Sequence, residues 1–141
     1  MKSILCWISL SLAVGCLAAQ VADEETVIPT EPAEPPYEEG DLLDDAGHTI
    51  DREDRPDLNF RIVDNRIRLY WLDEDRLIVE PEVDEATLRF RGTVRGRAFH
   101  RLTRLSGDLG LGTPTIMPPP HIYQVILFVG TDAEGEPESY A

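Results

Sequence analysis

Three side chains of this sequence have the chemistry of copper ligands. His100, Met117 and His121 offer two imidazoles and a thioether, and a triple proline separates the last two. Imidazole and thioether groups suit soft copper ions, and the prolines would hold such a loop still. A blue-copper site would also need a cysteine, and both cysteines of the chain, Cys6 and Cys16, lie near the N-terminus. Copper handling is therefore the alternative interpretation of the function. In the other interpretation of these residues, Met117 fills the core and His121 is hydrogen-bonded to backbone.

A second group of side chains has the chemistry to bind an acidic partner. Arginine offers a planar fork for carboxylates and stacks on aromatic rings. If the strands that carry them are neighbours, these side chains form a cationic stripe beside a tyrosine. Such a stripe would bind an acidic protein, a polysaccharide or the chain's own acidic segment, and the alternative is a solvated sheet face paired with Glu and Asp. The predicted binding residues are Arg61, Arg66, Arg68, Tyr70, Arg89 and Arg91, with Arg95 and Arg97 further along.

No stretch of the chain has the residue types and spacing of a known catalytic site. Nothing in the sequence places two of the carboxylates of residues 80–85 across a cleft. Ser106 and Ser139 have no nucleophile motif around them. The acidic run at residues 73–75 lacks the alternating oxygens and the glycine of a calcium loop. We therefore predict a non-enzymatic binding or interaction module without a cofactor.

The elements that must position these side chains are short strands, and the clearest are two strands of a hairpin. Residues 60–63 and 66–71 flank Asp64 and Asn65, which tolerate the positive φ of a two-residue hairpin turn. This turn pairs Val63 with Arg66. The apolar side chains then share one face and the arginines share the other. The apolar face holds Phe60, Ile62, Ile67, Leu69 and Trp71.

The rest of the central region also predicts strands. Residues 77–79, 86–91, 99–105 and 122–129 have strand patterns, whereas the Gly- and Pro-rich residues 106–120 predict a long irregular loop. The total is six to seven strands and no helix. We expect an all-β fold, a small antiparallel β-sandwich or open barrel, over residues 58–130.

Charge is distributed unevenly along the chain. Residues 20–57 hold 14 acidic and two basic residues, whereas residues 58–130 hold nine acidic and ten basic residues. High charge with few apolar residues predicts a disordered acidic linker at 20–57, and residues 131–141 predict a disordered acidic tail. One short island, residues 41–45, holds two leucines, and a solvated stretch is favoured there over docking on the domain or on a partner. Nucleic acid is excluded as a partner because its phosphates would meet strongly negative flanks.

The N-terminus has the pattern of a secretory signal. Lys2 precedes an apolar stretch that ends in small residues before residue 20, and this stretch is shorter than a membrane span requires. Residues 1–19 therefore predict a signal peptide and an exported protein, periplasmic or secreted. The sequence Ala-Val-Gly-Cys at residues 13–16 leaves open lipidation of Cys16, which would be the only membrane attachment.

Residues 69–78, with the sequence Leu-Tyr-Trp-Leu-Asp-Glu-Asp-Arg-Leu-Ile, follow the hairpin turn. This run resembles a pattern in small exported bacterial β-sandwich domains of uncharacterised or metal-handling periplasmic proteins. In those domains an aromatic strand ends in an acidic turn before a short apolar strand. The resemblance implies an exported β fold and assigns no site residue.

Overall fold

The computed structural model describes residues 28–91, 99–130 and 138–141. All regular elements within these ranges are β-strands. The strands are β1 (His48–Ile50), β2 (Asp57–Val63), β3 (Arg66–Leu72), β4 (Ile78–Val79), β5 (Glu85–Arg91), β6 (Phe99–Arg104), β7 (Leu111–Ile116), β8 (Gln124–Val129) and β9 (Glu138–Tyr140).

One antiparallel sheet contains all of these strands. Its order is β1-β2-β3-β7-β6-β5-β8-β9, with β4 paired to β3 beside this path, and it curves until it is nearly closed into a barrel. The predicted all-β class is confirmed. Of the two expected architectures the sheet matches the open barrel, and it has more strands than the six to seven expected. Strands β1 and β9 are the two edges that face each other across the gap.

The hairpin of β2 and β3 has the predicted register. Val63 lies opposite Arg66, and Ile62 lies opposite Ile67. Asp64 and Asn65 form the turn with φ values of 49° and 58°. These left-handed values match the twist of the flanking strands, which explains why the turn residues fix the pairing.

The interior of the barrel holds the main hydrophobic core. In β5 the inward positions are Ala86, Leu88 and Phe90, as the alternation predicts, and Trp71 at the end of β3 is fully buried. Of the predicted apolar face of the hairpin, Ile67, Leu69 and Trp71 lie in this core and Phe60 packs against it. The other buried members of this cluster are Leu58, Val83, Leu102, Leu111, Met117, Leu127 and Val129.

Residues 28–57 differ from the predicted disordered linker, because much of this segment packs on the outside of the hairpin. Tyr37 and Leu43 are buried in a second apolar cluster with Tyr70 of β3. Backbone bonds hold the segment in place, including Gly40 N–H to the Ile78 carbonyl at 2.8 Å. The predicted disorder of this segment is corrected. The prediction used the average charge of the segment, which does not show that single apolar residues can anchor it, and arginines of the domain compensate its acidic charge.

Two further segments are more ordered than the sequence suggests. The expected irregular loop at residues 106–120 contains β7, and residues 138–140 of the expected disordered tail form β9. Gly110 explains the first difference. A β-carbon there would lie 2.6 Å from the Tyr70 ring, so glycine lets the chain approach β3 closely.

The barrel has two chemically different ends. At the proline-loop end lie the β2–β3 turn (residues 64–65) and the β7–β8 connection (residues 117–123). At the acidic end lie the connections at residues 51–56, 73–77 and 80–84. The first two connections contain a single acidic residue, Asp64, whereas the other three contain nine acidic residues.

Candidate binding site

Three of the six predicted binding residues, Arg61, Arg68 and Tyr70, are covered by the chain itself. The Arg61 side chain is 5% exposed, and its Nη1 lies 2.7 Å from Asp44 Oδ1. Arg61 Nε also donates to Asn59 Oδ1 at 2.7 Å, and two backbone carbonyls accept from Nη2. The chain's own acidic segment, one of the predicted partners, therefore occupies Arg61.

Tyr70 and Arg68 lie on the same covered face. Tyr70 is fully buried, and its hydroxyl donates to Asp108 Oδ2 at 2.8 Å. Burial, followed by this hydrogen bond, raises the pKa of Tyr70 far above its ordinary value. Arg68 Nε lies 4.0 Å from the same carboxylate oxygen. This face of β3 is therefore covered by the chain itself, and Arg68 and Tyr70 do not form a solvent-facing surface.

The remaining predicted arginines are exposed, and those of β5 do not form a stripe with the arginines of β2 and β3. Arg66 begins β3, whereas Arg89 and Arg91 lie on β5, and β7 and β6 separate the two strands in the sheet. The Arg89 guanidinium lies 5.6 Å from the centre of the Phe99 ring. The condition for a single stripe, that the strands carrying these arginines are neighbours, is therefore not met. All three residues nevertheless lie toward the proline-loop end. Arg95 and Arg97 lie outside the described residues.

The candidate copper ligands also lie toward the proline-loop end. His100 packs edge-on against Phe90 with ring centres 5.1 Å apart. His121 Nε2 lies 2.9 Å from the backbone oxygen of Met117, and the Met117 side chain is buried. Among the described residues, no three His, Cys, Asp or Glu side chains cluster to hold a metal. Copper binding by His100, Met117 and His121 stays a prediction.

The gap between the two edge strands contains a cavity that sequence reasoning missed. Its volume is about 360 Å³, and both edges of the sheet contribute to its walls. We call this cavity the seam pocket. Apolar side chains dominate its lining, whereas polar groups are few. The residues around it are His48, Ile50, Phe60, Val125, Leu127, Ser139, Tyr140 and Ala141.

An ionic cluster ties the two edges together at the acidic end of this gap. The Arg52 side chain is 4% exposed, and its Nη2 lies 2.6 Å from Glu82 Oε2. Arg55 pairs with both Glu82 and Glu138, so residues before β2 contact the first residue of β9. Arg52 Nη1 lies 3.5 Å from Glu138 Oε2. The seam pocket therefore has one end held by ion pairs.

The two carboxylates of this cluster favour their charged forms. Burial raises the pKa of Glu82, but hydrogen bonds from Arg55 and Arg52 outweigh burial and leave it lowered. A hydrogen bond from the Tyr140 hydroxyl is the largest cause that lowers the pKa of Glu138. The signal for this cluster was visible in the sequence, since Arg52 and Arg55 are the two basic residues of the acidic segment.

Comparison of the chain with family models, with curated proteins and with solved structures gives no match. In the described part of the chain, no helix has the length and apolar character to span a membrane. Cys16 and the predicted signal peptide at residues 1–19 lie outside the described residues.

Proposed function

We propose that this protein is an exported, non-enzymatic binding module that takes up a small apolar molecule in the seam pocket. The observation that carries the proposal is a cavity of about 360 Å³ between two sheet edges, with an apolar lining. Small-molecule pockets span about 300–1,000 Å³, with apolar walls and a few polar groups that fix orientation.

The seam pocket offers the ligand a continuous apolar surface. Leu127 is buried in the main core, and Ile50, Phe60, Val125 and Tyr140 are half-buried side chains packed against that core. A ligand would therefore extend the existing core rather than rest on a polar surface. Burying an apolar surface contributes about 25 cal/mol per Å². His48 and Ser139 are exposed at the rim, where their polar groups could orient one polar end of a ligand.

Two substitutions on β8 test the site. Val125→Phe adds a ring toward the pocket, whereas Ile126→Phe adds the same ring to the opposite face of the same strand. Ile126 is the matched control because it lies opposite the exposed Arg89. The measurement is titration with the neutral fluorescent probe N-phenyl-1-naphthylamine, with urea unfolding of each variant to confirm that it folds.

We expect saturable probe binding to the unaltered protein and to Ile126→Phe, and loss of binding in Val125→Phe. Equal binding by Val125→Phe and the unaltered protein would show that the probe binds elsewhere. Equal loss in both folded variants would also count against the seam pocket, since only one of the two rings points into it.

Export is the second part of the proposal, supported by the signal-like residues 1–19. Its test is the intact mass of the protein matured in a bacterial host. A chain starting near residue 20 is the expected result, and a lipidated chain starting at Cys16 would place the pocket at a membrane. An uncleaved chain starting at Met1 would remove export from the proposal.

A further inference from the structure

Exposed apolar side chains concentrate at the proline-loop end of the barrel. Four large apolar side chains are exposed in the described part of the chain, and three of them lie toward this end. Ile122 is 85% exposed, Ile116 62% and Phe99 55%. Exposed apolar groups that cluster with charged residues around them mark sites of interaction.

Within the described part of the chain, the arginines without a carboxylate partner concentrate toward the same end. Of the ten arginines that the structure describes, seven lie within 4.0 Å of a carboxylate oxygen. The other three are Arg66, Arg89 and Arg91, and all three are exposed. Arg66 lies opposite Ile116, and Arg89 lies opposite Phe99, so cationic and apolar side chains alternate there.

The charge of the whole chain does not cancel this local positive charge. The net charge is −14, but the acidic residues of the barrel connections lie mainly at the opposite end. A charge more than a Debye length away, about 8 Å at physiological salt, is largely screened for exposed groups. The proline-loop end, with Asp64 as the acidic residue of its two described connections, therefore presents a cationic surface.

Two hydrogen bonds brace the loop that carries Ile122, and residues 118–122 of this loop are called the apolar tip. Met117 N–H donates to the Asn65 carbonyl at 2.6 Å, and the Tyr123 hydroxyl donates to the Pro118 carbonyl at 2.6 Å. Met117 is buried, while each of residues 118–122 is exposed. This arrangement presents Ile122 on an exposed loop braced by two hydrogen bonds. An exposed apolar loop with arginines around it matches the acyl chains and the anionic headgroups of a lipid surface.

We infer that the proline-loop end docks on an anionic lipid surface, with Ile122 and the prolines among the acyl chains and Arg66, Arg89 and Arg91 at the headgroups. Anionic bilayers attract arginine side chains near their surface, and apolar side chains on a loop add to this attraction by insertion. The inference is independent of the seam pocket and of any lipid on Cys16.

A site-specific label tests this inference in the full chain. In a background of Cys6→Ala and Cys16→Ala, Ile122→Cys carries an environment-sensitive NBD fluorophore at the tip. Asp75→Cys carries the same label at the acidic end as the matched control. Each protein is titrated with phosphatidylcholine vesicles, with and without phosphatidylglycerol, at low and high salt. These labels report which end inserts even if residues 1–19 also contact the vesicle.

The charge dependence is tested with two triple variants that remove the same number of arginines. Arg66→Gln/Arg89→Gln/Arg91→Gln removes the arginines without carboxylate partners, whereas Arg76→Gln/Arg101→Gln/Arg104→Gln removes exposed arginines that have such partners. We expect the first triple variant to lower partitioning of the tip by about a hundredfold, at about fivefold per arginine. The second should change it little.

The expected result is a blue-shifted, brighter label at residue 122 with phosphatidylglycerol vesicles, suppressed by salt, and no such change at residue 75. An equal response of both labels, or equal effects of the two triple variants, would overturn the inference. Soluble polyglutamate is added at a concentration of negative charge equal to that of the vesicle lipid. Displacement of the tip from the vesicles would identify an acidic polypeptide as the partner and would overturn the inference of a lipid partner.

Discussion

Replacing Glu138 by Gln should loosen the end of the seam that the ionic cluster holds. The substitution keeps the shape of the side chain and removes its charge. Glu138 contacts Arg55 directly and lies 3.5 Å from Arg52 Nη1. Its own side chain is 34% exposed and that of Arg55 is 30%, whereas that of Arg52 is only 4% exposed. The two ion pairs therefore differ in how strongly solvent screens them.

The expected loss of stability follows from these exposures. A partly exposed pair such as Arg55–Glu138 contributes about 0.5 kcal/mol. Arg52 loses one of its two carboxylates and keeps Glu82. This loss adds about 1 kcal/mol to the destabilisation, well below the cost of an entirely unpaired buried charge. We expect Glu138→Gln to lower the free energy of unfolding by about 1.5 kcal/mol. Urea denaturation followed by the fluorescence of buried Trp71 measures this difference.

Glu85→Gln is the matched control, since Glu85 pairs with Arg101 and both side chains are more than half exposed. It should cost less than about 0.5 kcal/mol. Equal effects of the two substitutions would refute the assignment of a special role to the seam cluster.

The stability that the seam cluster contributes should depend on pH. The pKa values of Glu82 and Glu138 are lowered in the folded state from an ordinary value of 4.5. A lowered folded pKa contributes stability above the ordinary value, and this contribution is lost as pH falls through the folded pKa. The difference between the unaltered protein and Glu138→Gln should therefore be full at neutral pH and shrink below pH 4.5. A difference that stays constant into strong acid would contradict this account.

Two further substitutions test the packing outside and within the sheet. Leu43→Ala should lower the free energy of unfolding by about 3 kcal/mol, because Leu43 is 2% exposed, whereas a disordered linker would show no change in urea denaturation. Gly110→Ala should cost about 2 kcal/mol, since its β-carbon would meet the Tyr70 ring and lie 2.9 Å from the Leu69 carbonyl oxygen. A thermal unfolding curve unchanged from that of the unaltered protein would show that β3 and β7 can separate without cost.

The sequence predicted correctly those strands whose pairing or orientation depends on residues close by in the chain. The turn at Asp64 and Asn65 fixes the β2–β3 register, and the alternation in β5 gives its inward side chains correctly. The seam pocket was not predictable in this way, because it depends on β1 and β9 meeting as the two edges of one sheet. Those strands are three residues each and lie in acidic segments, so their composition signals disorder before pairing is considered.

The covering of the predicted arginine site was not predictable for a related reason. Alternation placed Arg61, Arg68 and Tyr70 correctly on one face of the hairpin, but it cannot tell whether that face meets solvent or another part of the chain. Tyr37 and Leu43 decide the question by packing there, and Asp44 then neutralises Arg61. Strand order is equally non-local, and it separates Arg66 from Arg89 by two strands.

The positions of the ion pairs explain why the proline-loop end of the barrel is cationic. Acidic residues outside the predicted domain bind arginines within and beside it: Asp44 holds Arg61, and Glu138 holds Arg55. These contacts cover one face of the hairpin and fasten the acidic end of the seam. The carboxylates that pair with arginines therefore lie along the sides of the barrel and at its acidic end. Among the described residues, Arg66, Arg89 and Arg91 have no carboxylate partner. A strongly acidic chain can in this way present a cationic end, and net charge alone would predict the opposite behaviour toward an anionic surface.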